Sequence, residues 1–143
     1  MRSLTATPSE PAVPDTPLAF ALSDVRLADL RGVARLERLC FTTEAWGWLD
    51  FSGALLVRHL FRKAVAEGRL LGFVVATVDW NAGITWIVNI AVDPSARNKG
   101  VGRALMQDVE ARAPTRRLRL VVRVDNDSAR HLYRSLGYQE IGI

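Results

Sequence analysis

The sequence predicts an α/β domain built on one mixed sheet, in which antiparallel strands lead into a parallel β-α-β unit. Three observations carry this. Ile84 to Val92 is almost wholly apolar and rich in β-branched residues, which is how a central strand covered on both faces reads. Asp93-Pro94 stops it, and the basic segment Arg97-Asn98-Lys99 then leads through Gly100-Val101-Gly102 into an apolar-periodic helix. Finally, Leu118 to Val124 alternates as a further strand, and a strand–helix–strand crossover makes its two strands parallel.

The remaining elements follow in order. Prolines 8, 11, 14 and 17 recur every third residue, so residues 1–17 are expected to be a mobile, Pro-rich tail ahead of a domain over 18–143. Leu18 to Leu22 reads as a first strand. From about Asp29 to Cys40, Leu30, Val33, Ala34, Leu36 and Leu39 or Cys40 recur at helical spacing. Phe41 to Asp50 is expected to be a loop carrying Trp46 and Trp48, either closing the core or lining a groove, and Phe51 to His59 a short helix. Leu60 to Ala66 and Leu70 to Val78 are strands joined at Glu67-Gly68-Arg69, and Asp79 to Gly83 turns into the central strand. The helix after Gly102 ends near Pro114. Asp125-Asn126-Asp127 caps a last helix with Ala129, Leu132, Tyr133 and Leu136 on one face, and Gly137 stops it. Tyr138 to Ile143 leaves room for one short strand.

A strand, a basic Gly-rich turn and a helix N-terminus together suit an anion, because the glycines permit close approach and the first-turn N–H groups favour negative charge. A P-loop needs Lys and then Ser or Thr after its last glycine, whereas Arg103-Ala104 follows Gly102. The dinucleotide fingerprint needs a third Gly or Ala where Leu105 stands. Both fail, and Arg97-x-x-Gly100-x-Gly102 remains. The net charge of +4, mostly arginine, is too small to argue for nucleic acid. The single Cys40 cannot form an internal disulfide, and two isolated histidines offer no metal-ligand spacing. No apolar run is long enough to span a membrane, and the first residues lack a signal-peptide core, so a cytoplasmic protein is expected.

With that turn following V-D-P, and with N-x-S-A-x-x-L-Y-x-x-L-G-Y from Asn126 to Tyr138, the chain resembles the GNAT superfamily of acyl-CoA N-acetyltransferases. Within it, the chain is most similar to bacterial ribosomal-protein-alanine N-acetyltransferases of the Rim type. The resemblance implies the GNAT fold, acetyl-CoA as cosubstrate and no metal. It implies that backbone groups of Ile90, Ala91 and Val92 bind the pantetheine arm. The pyrophosphate would sit on Arg97, Asn98, Lys99, Gly100, Val101, Gly102 and Arg103, with Asn126 on the CoA arm and Tyr133 as the general acid for the leaving thiolate. For Asn126 a plain helix cap and for Tyr133 core packing are the competing readings. Asn89, polar within a buried strand, must find a partner.

Two departures bear on this. Val121 stands where the Rim-type enzymes carry a glutamate base, so the acceptor amine needs little help or another base, such as Glu44, Asp50 or a held water, serves. The family's final strand is apparently missing, leaving an open apolar sheet edge. A second copy or a partner is expected to cover that edge, or the tail to pair there directly. The acceptor implied is a protein or peptide N-terminal amine. The alternatives are a small-molecule amine, or an acyl-CoA-binding module with weakened catalysis.

Overall fold

The computed structural model describes residues 2–6, 19–40, 60–122 and 127–142. Its strands are β1 (Arg2–Ala6), β2 (Ala21–Asp24), β3 (Leu60–Ala66), β4 (Arg69–Asp79), β5 (Ile84–Val92), β6 (Arg117–Val122) and β7 (Gln139–Gly142). The helices are α1 (Leu30–Cys40), α2 (Val101–Arg112) and α3 (Asp127–Ser135). The strands form one sheet in the order β2-β3-β4-β5-β6-β1-β7. Every neighbouring pair is antiparallel except β5 and β6, which are parallel across α2. The expected mixed sheet with an antiparallel N-terminal half and a parallel β-α-β core is therefore present.

Each face of the sheet carries its own core. On one, α1 sets Leu30, Val33, Ala34 and Leu36 against Phe61, Phe73, Val75 and Ala91. On the other, Val101, Leu105, Met106 and Val109 of α2 pack with Tyr133 and Leu136 against Val74, Ala76, Ile87, Leu118 and Leu120. The entrance to α1 is held by Asp29, whose carboxylate accepts the Arg26 N–H at 2.7 Å and Lys63 Nζ at 2.7 Å. At the far end of the sheet, Glu140 of β7 is clamped by Arg130 and Arg134 of α3 at 2.6 and 2.7 Å.

β5 changes face partway along. Val75 pairs with Asn89, but the next residue, Ala76, pairs with Ile87, so Val88 is the extra residue of a β-bulge. The inserted residue reverses the alternation. Ile87 lies on the α2/α3 side, as do Ile90 and Val92, whereas Ala91 faces α1. Two residues of β4 opposite this strand show why it is tightly held: both Phe73 and Val74 are fully buried, one on each face.

For residues 2–6 the expectation of a mobile tail needs correcting. Arg2–Ala6 forms β1, inserted between β6 and β7 and antiparallel to both. Leu4 is fully buried there, level with Leu120. The reason is the edge itself. The inner face of β6 carries the buried Leu118 and Leu120, and its outer backbone groups need a ladder partner. Five residues of modest strand propensity suffice once both neighbouring strands are supplied. The β6 edge expected to be open is thus paired within the chain, by β1. The first strand expected at Leu18 to Leu22 begins later, as β2, and its hydrogen-bonded partner is β3. Residues 7–18, with the spaced prolines, lie outside the described residues. So do the aromatic loop with Trp46 and Trp48, Glu44, Asp50, the short helix over Phe51 to His59, and Asn126.

Candidate active site

β5 and β6 pair only from Ile84↔Arg117 to Ile87↔Leu120. Among the described residues, which on β6 end at Val122, no β5 residue from Val88 to Val92 pairs with β6. Across β5, Ile90, Ala91 and Val92 keep their partners Val74, Phe73 and Gly72 on β4. Close approach there is required: a Cβ on Gly72 would meet the Ala91 carbonyl oxygen at 2.8 Å. The bulge at Val88 thus directly follows the last described β5–β6 pair, on the strand that runs into the Gly-rich turn.

The turn begins at Asp93. Its carboxylate accepts hydrogen bonds from the Ser95 N–H at 2.9 Å and the Ser95 hydroxyl at 2.7 Å, starting a 3-10 turn over Pro94–Ala96. Those bonds, outweighing desolvation and aided by Arg69, hold the Asp93 carboxyl below the usual range. Arg69 Nη2 donates to Ser95 Oγ at 2.6 Å, fastening the turn to the β3–β4 hairpin. Asn98 and Gly100 both adopt left-handed backbone, with φ of 61° and 84°. Gly100 caps α2 without a side-chain hydrogen bond, so the first-turn N–H groups of Val101, Gly102 and Arg103 receive no cap from it. Alternating backbone handedness ahead of an uncapped helix start is the geometry of an anion nest. Gly102 lies against α3: a Cβ there would stand 3.3 Å from Leu132 Cδ2.

The basic side chains of the turn divide. Lys99 is exposed. Arg97 turns back toward the strand, where Nε donates to the Val92 carbonyl at 3.3 Å and Nη2 reaches Cys40 Sγ at 3.5 Å. The Cys40 thiol donates to the same carbonyl at 3.4 Å. Burial pushes that thiol up, with Arg97 only partly offsetting it. Arg103 Nη2 donates to the Ser135 hydroxyl at 2.6 Å, tying α2 to α3. Of the basic groups, then, two are committed to the protein's own framework and one extends outward.

Tyr133 of α3 is 6% exposed, with its ring edge-on to Tyr138 at 6.1 Å between centroids. Desolvation pushes its phenol up to about 12, so it stays a proton donor at any working pH. The burial that packs the ring is also what keeps the phenol protonated.

Asn89 finds its partner in a residue that helical periodicity did not single out. Its Nδ2 donates to Glu37 Oε2 at 2.8 Å, and Glu37, on α1, is only 2% exposed. A sequence signal existed. Glu37 follows Leu30, Val33 and Ala34 at i+7, an inward position that normally carries an apolar residue. Among the described residues, no three His, Cys, Asp or Glu side chains come together as a metal site, and no helix is long and apolar enough to cross a membrane.

Comparison with known proteins agrees with this arrangement. Residues 26–138 match the acetyltransferase (GNAT) family. The chain is 35% identical over 101 residues to the [ribosomal protein bS18]-alanine N-acetyltransferase of Salmonella typhimurium, covering 68% of this chain and 67% of that one. It is 32% identical over 120 residues to the N-alpha-acetyltransferase RimI of Mycobacterium tuberculosis, covering 81% and 76% respectively. The crystal structure of the ribosomal-protein-S18-alanine N-acetyltransferase from Escherichia coli superposes with a TM-score of 0.76 at 28% identity, covering 86% of this chain and 79% of that one.

Proposed function

The chain belongs to the acetyltransferase (GNAT) family and is an acetyl-CoA-dependent N-acetyltransferase; from that premise we propose that its acceptor is the α-amine at a protein or peptide N-terminus. The observation that supports this reading is that the described β5–β6 pairing ends at Ile87↔Leu120, ahead of the Gly-rich turn that follows β5, with Tyr133 packed in the core on the α2/α3 side. The two relatives named for α-amine or N-terminal alanine acetylation cover two thirds or more of the chain, and this supports the acceptor class.

In this reading the N–H groups from Arg97 to Arg103 and the outward Lys99 hold the pyrophosphate, and the β5 backbone from Ile90 to Val92 takes the pantetheine arm. Arg97 must release the Val92 carbonyl wherever the arm needs it. Asn126 sits on the arm. The neutral amine attacks the thioester carbonyl; the C–N bond forms, the C–S bond breaks, and the thiolate takes the Tyr133 proton. The amine loses its own proton to water, and Tyr133 is reprotonated from solvent, so the products are the amide and free CoA. Burial raises the cost of the Tyr133 step. From a phenol at about 12 to a free thiol at about 8.5, transfer is uphill by about 5 kcal/mol. A thiolate desolvated beside Tyr133 is itself raised, which narrows the gap.

The valine at 121 fits an α-amine. Such an amine has a pKa of about 7.7–8.0 and is substantially neutral near pH 7.5, whereas a lysine at about 10.4 costs roughly 3 kcal/mol more to deprotonate. The test is free-thiol release from acetyl-CoA with peptides of varied N-termini, the same peptides Nα-blocked but carrying lysine, and small polyamines. Turnover confined to free N-termini is expected. Turnover on polyamines alone would overturn the α-amine assignment.

A further inference from the structure

The Glu37–Asn89 pair is not among the groups assigned above to the cofactor, and it lies on β5 just past the last described β5–β6 pair. Asn89 is the residue after the bulge, two positions beyond the last β5–β6 pair at Ile87. Its side chain faces α1, opposite to the face where Ile90 and Val92 meet α2 and α3. Tyr133 packs on that second face. The pair and Tyr133 therefore lie on opposite faces of the sheet, as attack on a thioester held along β5 requires of an acceptor and a leaving group.

The chemistry of the pair is directional. A carboxylate only accepts hydrogen bonds, so Glu37 fixes the carboxamide with Nδ2 toward α1. That leaves Asn89 Oδ1, which no described residue donates to, as an oriented acceptor. Asn89 is partly exposed, while Glu37 is sealed beneath it. A neutral carboxamide oxygen backed by a buried negative charge suits an amine N–H, and it sits one strand away from position 121, where no carboxylate is present.

We propose that Asn89 Oδ1 accepts a hydrogen bond from the incoming amine and aims its lone pair at the thioester, and that Glu37 is the positioning residue that locks the carboxamide in that orientation. This rests on the acetyltransferase reading above and adds to it the residue that meets the acceptor.

The experiment measures both Michaelis constants for Asn89→Val, Glu37→Leu, Glu37→Gln and the double variant Asn89→Val/Glu37→Leu. An alanine-initiated hexapeptide serves as the acceptor probe, with spermidine alongside. Loss of one such hydrogen bond is expected to raise the acceptor KM about 5- to 10-fold in Asn89→Val and Glu37→Leu. The acetyl-CoA KM should stay near wild type, while each of those two variants lowers the thermal midpoint, because it removes one half of a buried polar pair, and the double variant recovers part of that loss. Glu37→Gln, which still offers an oxygen to Nδ2, should recover most of the affinity. The double variant should match Asn89→Val alone, since the two residues act in series. An acceptor KM within two-fold of wild type in Asn89→Val, a parallel rise in the acetyl-CoA KM, or additive effects in the double variant would overturn the proposal. If Glu37→Leu does not fold, Asn89→Val decides it. Wild-type turnover of spermidine but not of the peptide would refute the N-terminal acceptor alone, and the KM comparison would then be read on spermidine. A wild type that turns over neither overturns both.

Discussion

Leu4→Ala tests the least expected feature of the fold, the insertion of the N-terminal strand. Leu4 is fully buried in the core that also holds Leu118 and Leu120 of β6, Tyr133 of α3, and Leu136 and Tyr138 just after it. Burying a leucine side chain contributes about 1.5–3 kcal/mol by transfer alone. The cavity left by truncation brings typical losses to about 2–5 kcal/mol. β1 has only five residues and can relax toward its neighbours, so a loss near the lower end, about 2–3 kcal/mol, is expected. Urea unfolding followed by tryptophan fluorescence reads this as a lower midpoint. If the strand detaches while the remainder stays folded, the slope falls as well, because less surface is then exposed in the main transition. Leu27→Ala is the control: Leu27 is 73% exposed, and its truncation should change stability by less than about 0.5 kcal/mol. A Leu4→Ala protein indistinguishable from that control in both midpoint and slope would refute the placement of β1 in the sheet.

Four further outcomes follow from the site. Tyr133→Phe keeps the ring packed against Tyr138 and removes only the proton donor, so kcat should fall about 10²-fold or more while CoA binding measured by calorimetry is unchanged. Gly100→Val places a β-branched residue at φ 84°, at a cost of about 1–2 kcal/mol, and should weaken CoA binding before it affects the thermal midpoint of the sheet. Gly72→Ala meets a backbone oxygen at 2.8 Å that has no rotamer to escape into, so destabilisation of about 1–3 kcal/mol is expected in urea unfolding. Asp93 has a folded pKa below its unfolded value near 3.9; its contribution is therefore complete above that pH and is lost as pH falls through the folded value. Thermal midpoints should be insensitive to Asp93→Asn as a function of pH from about 5 to 8, and the acid fall-off below pH 4 should be shallower in the variant.

The distribution of Glu37 and Arg97 shows how the site is assembled across elements. Glu37 comes from α1, Asn89 and the Val92 carbonyl from β5, and Arg97 from the turn that follows. The C-terminal end of α1 meets that turn through Cys40, whose sulfur touches both the Arg97 guanidinium and the Val92 carbonyl. Movement of α1 against the sheet would therefore shift Asn89 and the Gly-rich turn together. The Cys40 thiol, raised by burial, is held as a donor to the backbone at this junction.

Much of this was already determined by the sequence. The β-branched run from Ile84 to Val92, the proline that ends it and the glycines at 100 and 102 each dictate local backbone, and the strands β3 to β6 and the helices α1 and α2 lie where their periodicity puts them. Arg97-x-x-Gly100-x-Gly102 and the segment ending in Leu136-Gly137-Tyr138 identified the family because their roles depend on spacing along one turn or one helix. What tertiary structure decided was everything that depends on pairing between distant segments. Arg2–Ala6 has too little intrinsic strand preference to be read as β1, and it becomes a strand only because β6 and β7 supply both neighbours. The bulge at Val88 is invisible in an apolar run, since it shows only as the register of β4 against β5. Glu37 reads as one charge on an amphipathic helix until the folded sheet brings Asn89 within 2.8 Å of it. Local propensity is written residue by residue; ladder register and buried polar pairing are set only when the strands meet.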